Sequence, residues 1–168
     1  MKAEHGMMQK DNADWFVCSM TKQDVNAVAS FESVVQDGWS KECLTSALES
    51  EACVSFVVRS EKEQPFAFAS FTVVADEANL DALSVHPDYR RKGVASFLLH
   101  HVLQVLQNRK VSVCFLEVRN SNQAAQHLYQ TLGFMKVGVR PHFYAKPTED
   151  AWLMKWQAQG GNNENIGN

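Results

Sequence analysis

The order in which two hydrophobic periods alternate along the chain constrains its fold more than any other feature. Residues 14–20 (DWFVCSM) alternate well enough for a strand. Thr21 and Asp24 then stand at the spacing of a helix cap with an acid in the first turn, and Val25, Val28, Ala29 and Phe31 form one helical face. Gly38 breaks that face, and Ser40 is the expected cap of a second short helix through Leu48. Strand-like runs follow at 52–59, 65–75 and 80–85, with 76–79 read as a turn. A long amphipathic helix to about Gln107, a β-branched strand over 111–118 and a helix capped by Ser121 or Asn122 come next. Gly133 is the stop signal of that last helix. Strands over 134–139 and 151–156, joined by a Pro-rich loop over 140–150, complete the pattern. The order β-α-α-β-β-β-α-β-α-β-β predicts an α+β fold, a mixed sheet with helices on both faces.

A chain of 168 residues, 45% apolar and 21% charged, has room for one domain with a sizeable core. That domain is expected over 14–157, with a loose segment at 1–13 and a disordered tail at 158–168. A formal charge of −3 leaves no basic surplus to hold a polyanion across a whole face, so direct nucleic-acid binding is disfavoured. Cys18, Cys43, Cys53 and Cys114 have no C-x-x-C spacing, and three of them sit in apolar runs as small core residues do. Neither a signal peptide nor an apolar run approaching the roughly 18 residues of a membrane span is visible. A cytoplasmic, reduced protein without a membrane partner is the expectation. His100 and His101 are adjacent on a helix and cannot share a metal as i,i+4 histidines do, so no metal site is expected.

The chemistry starts at Arg90, Arg91, Lys92, Gly93, Val94 and Ala95, between a strand and an amphipathic helix. Such a junction presents unpaired backbone N–H groups and the positive end of a helix dipole. Gly93 removes a Cβ where an anion would approach, Ala95 stays small, and three cations add charge. A pyrophosphate fits this description, and so does a solvated basic helix start. The loop lacks the G-x-x-x-x-G-K-[ST] of a Walker loop and the three glycines of a dinucleotide fingerprint.

The block LSVHPDYRRKGVA, from Leu83 to Ala95, resembles the [QR]-x-x-G-x-[GA] acetyl-coenzyme A signature of the GNAT N-acetyltransferases. A second block, LEVRNSNQAA from Leu116 with LYQTLGF from Leu128, is similar to the same superfamily. It narrows the resemblance to enzymes that acetylate the N-terminal alanine of a small-subunit ribosomal protein. The resemblance runs from about Asp14 to Trp156. It implies a GNAT fold with a mostly antiparallel sheet, and acetyl-CoA as co-substrate. It also implies that backbone groups around Leu83, Ser84 and Val85 hold the pantetheine and acetyl carbonyl. The loop from Arg90 through Ser96 would receive the pyrophosphate, and Asn122 would contact the coenzyme.

Glu117 lies inside VSVCFLEV, where a carboxylate is either paired or functional. The resemblance makes it the general base; the alternative is a strand-end acid paired with Arg119 or solvent. The resemblance also makes Tyr129 the general acid. A phenol with an ordinary pKa of about 10 can protonate a leaving thiolate while staying neutral itself. Taken alone, Tyr129 between Leu128 and Leu132 reads as a core or rim aromatic. An α-amino group, with a pKa of about 7.7–8 against about 10.4 for lysine, needs only a modest base near neutrality. That suits a protein N-terminus.

Trp39, Asp76, Glu77, Phe143 and Tyr144 sit in expected loops and are candidate acceptor-site residues. Gly38-Trp39-Ser40-Lys41 departs from a family P-W-S-E element, and Pro141-His142-Phe143-Tyr144 from an N-Y-Y pattern, which bears on acceptor choice more than on catalysis. Two other functions compete: acetylation of a small amine such as a polyamine or antibiotic, and a non-catalytic acyl-CoA-binding module.

Overall fold

The structure is a computed structural model and describes residues 6–7, 14–61 and 64–159. In chain order the elements are β1 (Gly6–Met7), β2 (Phe16–Ser19), α1 (Val25–Glu32), α2 (Lys41–Glu49), β3 (Cys53–Arg59), β4 (Ala67–Val74) and β5 (Glu77–Val85). Then come α3 (Val94–Asn108), β6 (Val113–Arg119), α4 (Gln123–Thr131), β7 (Met135–Ala145) and β8 (Thr148–Gln157). Among the described residues the strands form one sheet in the order β1-β2-β3-β4-β5-β6-β8-β7. Every neighbouring pair is antiparallel except β5 with β6.

Alternation along β3 and β4 sorts the core into two layers. Val57 and Phe68 face α1 and α2, where Val28, Phe31 and Leu44 are buried with them. Phe56, Val58, Ala67, Ala69 and Phe71 face the opposite side and pack with Leu98, Leu99, Val102 and Leu106 of α3. Each such buried Leu or Phe contributes on the order of 1.5–3 kcal/mol. The expected caps form. The Thr21 backbone N–H and hydroxyl both donate to Asp24 Oδ2, at 2.9 and 3.0 Å. The Cys43 N–H donates to Ser40 Oγ at 3.3 Å, and Gly133, at φ +92°, follows the end of α4.

Three boundaries differ from the sequence expectation. Residues 77–79 belong to β5 and are not a turn. Their polar composition hides a parallel pairing of Glu77–Leu80 with Val113–Leu116, anchored by the Ser112 N–H on the Asp76 carbonyl at 2.7 Å. The expected loop at 140–150 is mostly strand, because β7 and β8 form a hairpin that turns at Lys146 and Pro147, whose peptide bond is cis. Pro141 reads as loop punctuation but falls where the pairing is already interrupted, between Arg140 and Tyr144. At the carboxyl end, Ala158 still donates to the Ser112 carbonyl at 2.9 Å, and the Gln159 carbonyl accepts from Gln107 at 3.3 Å. The remainder of the expected tail, and of the 1–13 segment apart from β1, lies outside the described residues.

One irregularity shapes the rest. Between Ser70 and Phe71 the register of β4 on β5 slips, so Asp81 opposes no partner. A bulge adds local twist and bends its strand. The parallel pairing of β5 with β6 stops at Leu80–Leu116, next to that bulge. Beyond it the two strands diverge, and the sheet opens.

Residues 33–40 connect α1 to α2 above the opening. A Cβ on Gly38 would lie 2.0 Å from the Glu32 carbonyl oxygen. Gly38→Ala therefore forces this segment apart and is expected to lower stability by about 1–3 kcal/mol, seen as a lower denaturant midpoint at unchanged m value. A wild-type midpoint would show that the segment yields without strain.

Candidate active site

The opening between β5 and β6 is a cleft of about 380 Å³. One wall is Leu80, Asp81, Ala82 and Leu83 of β5, and the other is Leu116 to Arg119 of β6. Residues 34–38 lie along its rim with Tyr144, while Asn122, Ala125 and Tyr129 enter from the α4 side. Past Leu80, β5 has no β6 partner, so its main chain faces the cleft as an open strand edge suited to amide groups of a thin, extended ligand.

Both residues singled out for proton transfer line this cleft. Glu117 stands on β6, largely buried, and its Oε1 forms an ion pair with Arg140 Nε of β7 at 3.2 Å. The sequence alternative had paired it with Arg119, which turns elsewhere. Tyr129 is buried on α4, with its ring edge-on to Phe134 at 5.8 Å. Burial pushes its phenol well above the ordinary value, so it is protonated at neutral pH. Glu117 also borders a shallower recess with Glu77, Asn79 and Arg140 on the sheet face.

At the end of the cleft nearest α3, Arg90 also borders a second recess of about 300 Å³. Val85, Tyr89, Arg91, Gly93, Val94, Ala95 and Ser96 line it, with Ala124 and Leu128 of α4. Arg91 and Gly93 both have positive φ, +59° and +80°, which turns the chain sharply into α3. The first turn of α3 presents N–H groups without helical partners beside two guanidinium groups. A polyphosphate fits such a recess. Lys92 instead lies over the Tyr89 ring at 5.3 Å, and the Val85 carbonyl accepts from Arg90 Nε at 3.1 Å. Ser84 is buried, and its Oγ has no partner. Asn122 caps α4, its Oδ1 accepting from the Ala125 N–H at 3.1 Å.

The acceptor-side candidates separate. Tyr144 is on the cleft, and burial and the nearby Asp37 carboxylate push its phenol up to about 12. Phe143 is exposed beside it. Trp39 packs edge-on to Phe68 at 5.8 Å and lines a different hollow with Ser40 and Lys41. Glu77 is in the recess beyond Glu117, and Asp76 binds Ser112 Oγ at 2.7 Å through its Oδ2.

Sequence reasoning missed Arg119, Asp37 and Arg140. Arg119 ends β6 almost fully buried, and every one of its five N–H donors is used. Its Nε and Nη2 reach the two Asp37 oxygens at 2.9 and 3.0 Å. Its Nη1 reaches the Pro147 carbonyl and Glu149 Oε2, at 3.1 and 3.2 Å, and Nη2 also reaches the Lys146 carbonyl at 3.4 Å. The Tyr144 ring lies 4.1 Å from the guanidinium carbon. These hydrogen-bond partners are 27 to 82 positions away in sequence, and no local pattern signals them.

Among the described residues no cluster of His, Cys, Asp and Glu could hold a metal, and no helix is long and apolar enough to cross a membrane. A family model described as acetyltransferase (GNAT) family matches residues 15–134. The [ribosomal protein bS18]-alanine N-acetyltransferase of Escherichia coli strain K12 is 39% identical over 112 residues, covering 67% of this chain and 73% of that protein. Its counterpart in Haemophilus ducreyi is 33% identical over 131 residues, covering 77% and 88%. The crystal structure of the Escherichia coli ribosomal-protein-S18-alanine N-acetyltransferase superposes with a TM-score of 0.80 at 33% identity, over 89% of this chain and 97% of that one. A spermidine N-acetyltransferase from Vibrio cholerae, solved with CoA and spermine, shares the fold at a TM-score of 0.73 and 17% identity, over 85% and 95%. An open strand edge suits amide groups and a cationic helix start suits a pyrophosphate, and acetyl-CoA carries both kinds of group. The chain belongs to the GNAT family and is an acetyl-CoA-dependent N-acetyltransferase.

Proposed function

We propose that the chain acetylates the α-amino group of an N-terminal alanine, with a small-subunit ribosomal protein as the natural acceptor. The observation that carries this reading is one cleft with Glu117 on one wall and Tyr129 on another, at a break in the sheet. The relatives named for action on bS18 alanine support the choice of acceptor.

In this reading the α3 recess, from Arg90 to Ser96, receives the pyrophosphate, and the β5 main chain at Leu83 and Val85 holds the pantetheine amides. Asn122, at the start of α4, borders the coenzyme. The lone pair of the neutral acceptor amine attacks the thioester carbonyl carbon, and the Glu117 carboxylate takes the surplus proton from the nitrogen as the C–N bond forms, directly or through one water. The C–S bond breaks, and the Tyr129 hydroxyl gives its proton to the departing sulfur. Glu117 then loses its proton to solvent and Tyr129 regains one from it, which resets both groups. Glu117 is paired with Arg140 through Oε1, which leaves Oε2 for the amine. Transfer is direct, within a ternary complex. Cys114 faces the core, and burial pushes its thiol up to about 12, so it is no nucleophile. Trp39, Glu77 and Tyr144 are the residues we assign to the acceptor side. Tyr144 would touch the amine-bearing residue, while Glu77, farther along the sheet face, would meet later positions, and Trp39 would support the rim from the second core.

Thiol release from acetyl-CoA tests the reading, with three acceptors compared: a short basic peptide with a free N-terminal alanine, its N-acetylated twin, and spermine. Release with the free peptide alone is expected. Release with spermine alone would move the chain to small-amine acetylation.

A further inference from the structure

We propose that Asp37 and Arg119 form a latch across the mouth of the cleft, and that Asp37 is a positioning residue for the acceptor with no part in holding acetyl-CoA. The proposal rests on the reading of the cleft as the acceptor channel.

The two lips of the cleft belong to separate parts of the sheet. Beyond Leu80 and Leu116 no β5–β6 pairing joins them. On the β5 lip, α1 is anchored by Val28 and Phe31 against Val57 and Phe68. On the other lip stand β6 and the β7–β8 hairpin. Asp37 comes from the first lip and Arg119 from the second, and their bidentate pairing spans the gap. A second link runs parallel to it, from Gln36 Nε2 to the Lys146 carbonyl at 3.4 Å. Arg119 simultaneously fixes the hairpin turn through Pro147 and Glu149 and holds the Tyr144 ring. One guanidinium thus sets the distance between residues 34–38 and Tyr144, the two rims an acceptor must pass.

The chemistry of the pair is that of a latch. Arg119 is nearly sealed, whereas the Asp37 side chain is 46% exposed. A carboxylate facing solvent can leave a buried guanidinium and return, while Arg119 keeps its hairpin partners. Asp37 also holds φ +62°, a conformation that Asp and Asn adopt more readily than other side chains. The recess at Arg90 to Ser96 shares none of these contacts. Loss of the latch should therefore loosen the acceptor rims and leave the coenzyme end untouched.

Asp37→Asn is the informative variant, since Asn suits the same backbone and breaks the bidentate pair by removing the charge and one acceptor oxygen. The expected result is a rise of about 10-fold in KM for the free N-terminal alanine peptide, with KM for acetyl-CoA unchanged. Asp37→Glu, which restores the carboxylate, should recover part of the loss. Hydrogen–deuterium exchange of the acceptor-free protein should show faster exchange at 34–38 and 145–148 in Asp37→Asn, with α3 unchanged. Unchanged peptide KM and unchanged exchange would overturn the latch. So would a parallel rise in both KM values, which would mark a general loss of structure. If wild-type protein acetylates none of the amines tested, the acceptor reading fails, while the exchange experiment still decides whether the pair ties the lips together.

Discussion

Glu117→Gln is expected to lower kcat by about 10²- to 10⁴-fold, the range for removing a positioned general base. Gln keeps the size and a polar oxygen beside Arg140, and the β6 strand keeps its pairing with β8. What disappears is the capacity to take a proton. Acetyl-CoA affinity should be unchanged, because the recess we assign to its pyrophosphate is built from other residues. Tyr129→Phe is the matching change on α4. It retains the packing against Phe134 and removes the proton donor, with a comparable loss expected. Because both act on one reaction path, the double variant should lose much less than the product of the two single losses. Single-turnover rates measured with saturating acetyl-CoA and peptide check this. Wild-type rates in Glu117→Gln would remove it from the base role and leave it as the partner of Arg140.

Gly93→Glu is expected to weaken CoA binding by about 100-fold or more, a change of about 2.7 kcal/mol. Two effects add. Gly93 sits at φ +80°, where a side chain costs about 1–2 kcal/mol, and the new carboxylate enters the recess we assign to the pyrophosphate. The fold should survive, since an acid at the N-terminal end of α3 interacts favourably with the helix dipole. Gly93→Ala separates the two, as it brings the backbone strain without the charge and should weaken binding far less. Calorimetric titration with CoA measures both. Equal affinity in Gly93→Glu and wild type would show that the pyrophosphate lies elsewhere.

What could be read from the residues follows from how far apart the partners lie. The caps at Thr21, Ser40 and Asn122, the stop at Gly133 and the core positions of α3 depend on neighbours within a few residues, and local periodicity marks them. The recess at the start of α3 was legible because most of its lining comes from the contiguous loop from Tyr89 to Ser96. The β7–β8 hairpin was obscured by Pro141 and Pro147, which punctuate loops but also tolerate an interrupted edge strand. The start of β5 was obscured because 76–79 is polar and reads as a turn, although 77–79 pair with Thr72–Val74 of β4 and with β6, more than thirty residues on. Glu117 looked out of place in its apolar run, yet its partner Arg140 lies on another strand, and Arg119 takes up Asp37 across 82 positions. Charge pairs formed by the closing of a sheet leave no local trace in sequence.

The outer strand β7 carries a consequence for solubility. It is the terminal strand of the sheet, and Met135, Val137 and Val139 on it are exposed. An apolar edge of this kind would ordinarily invite a strand from another molecule and seed aggregation. Here the pairing is broken twice, between Lys136 and Gly138 and between Arg140 and Tyr144, and Pro141 withholds an N–H. Lys136 and Arg140 add charge to the same stretch. An incoming strand would find no long uninterrupted ladder to extend, so the irregularities of β7 disfavour strand-to-strand association at this edge.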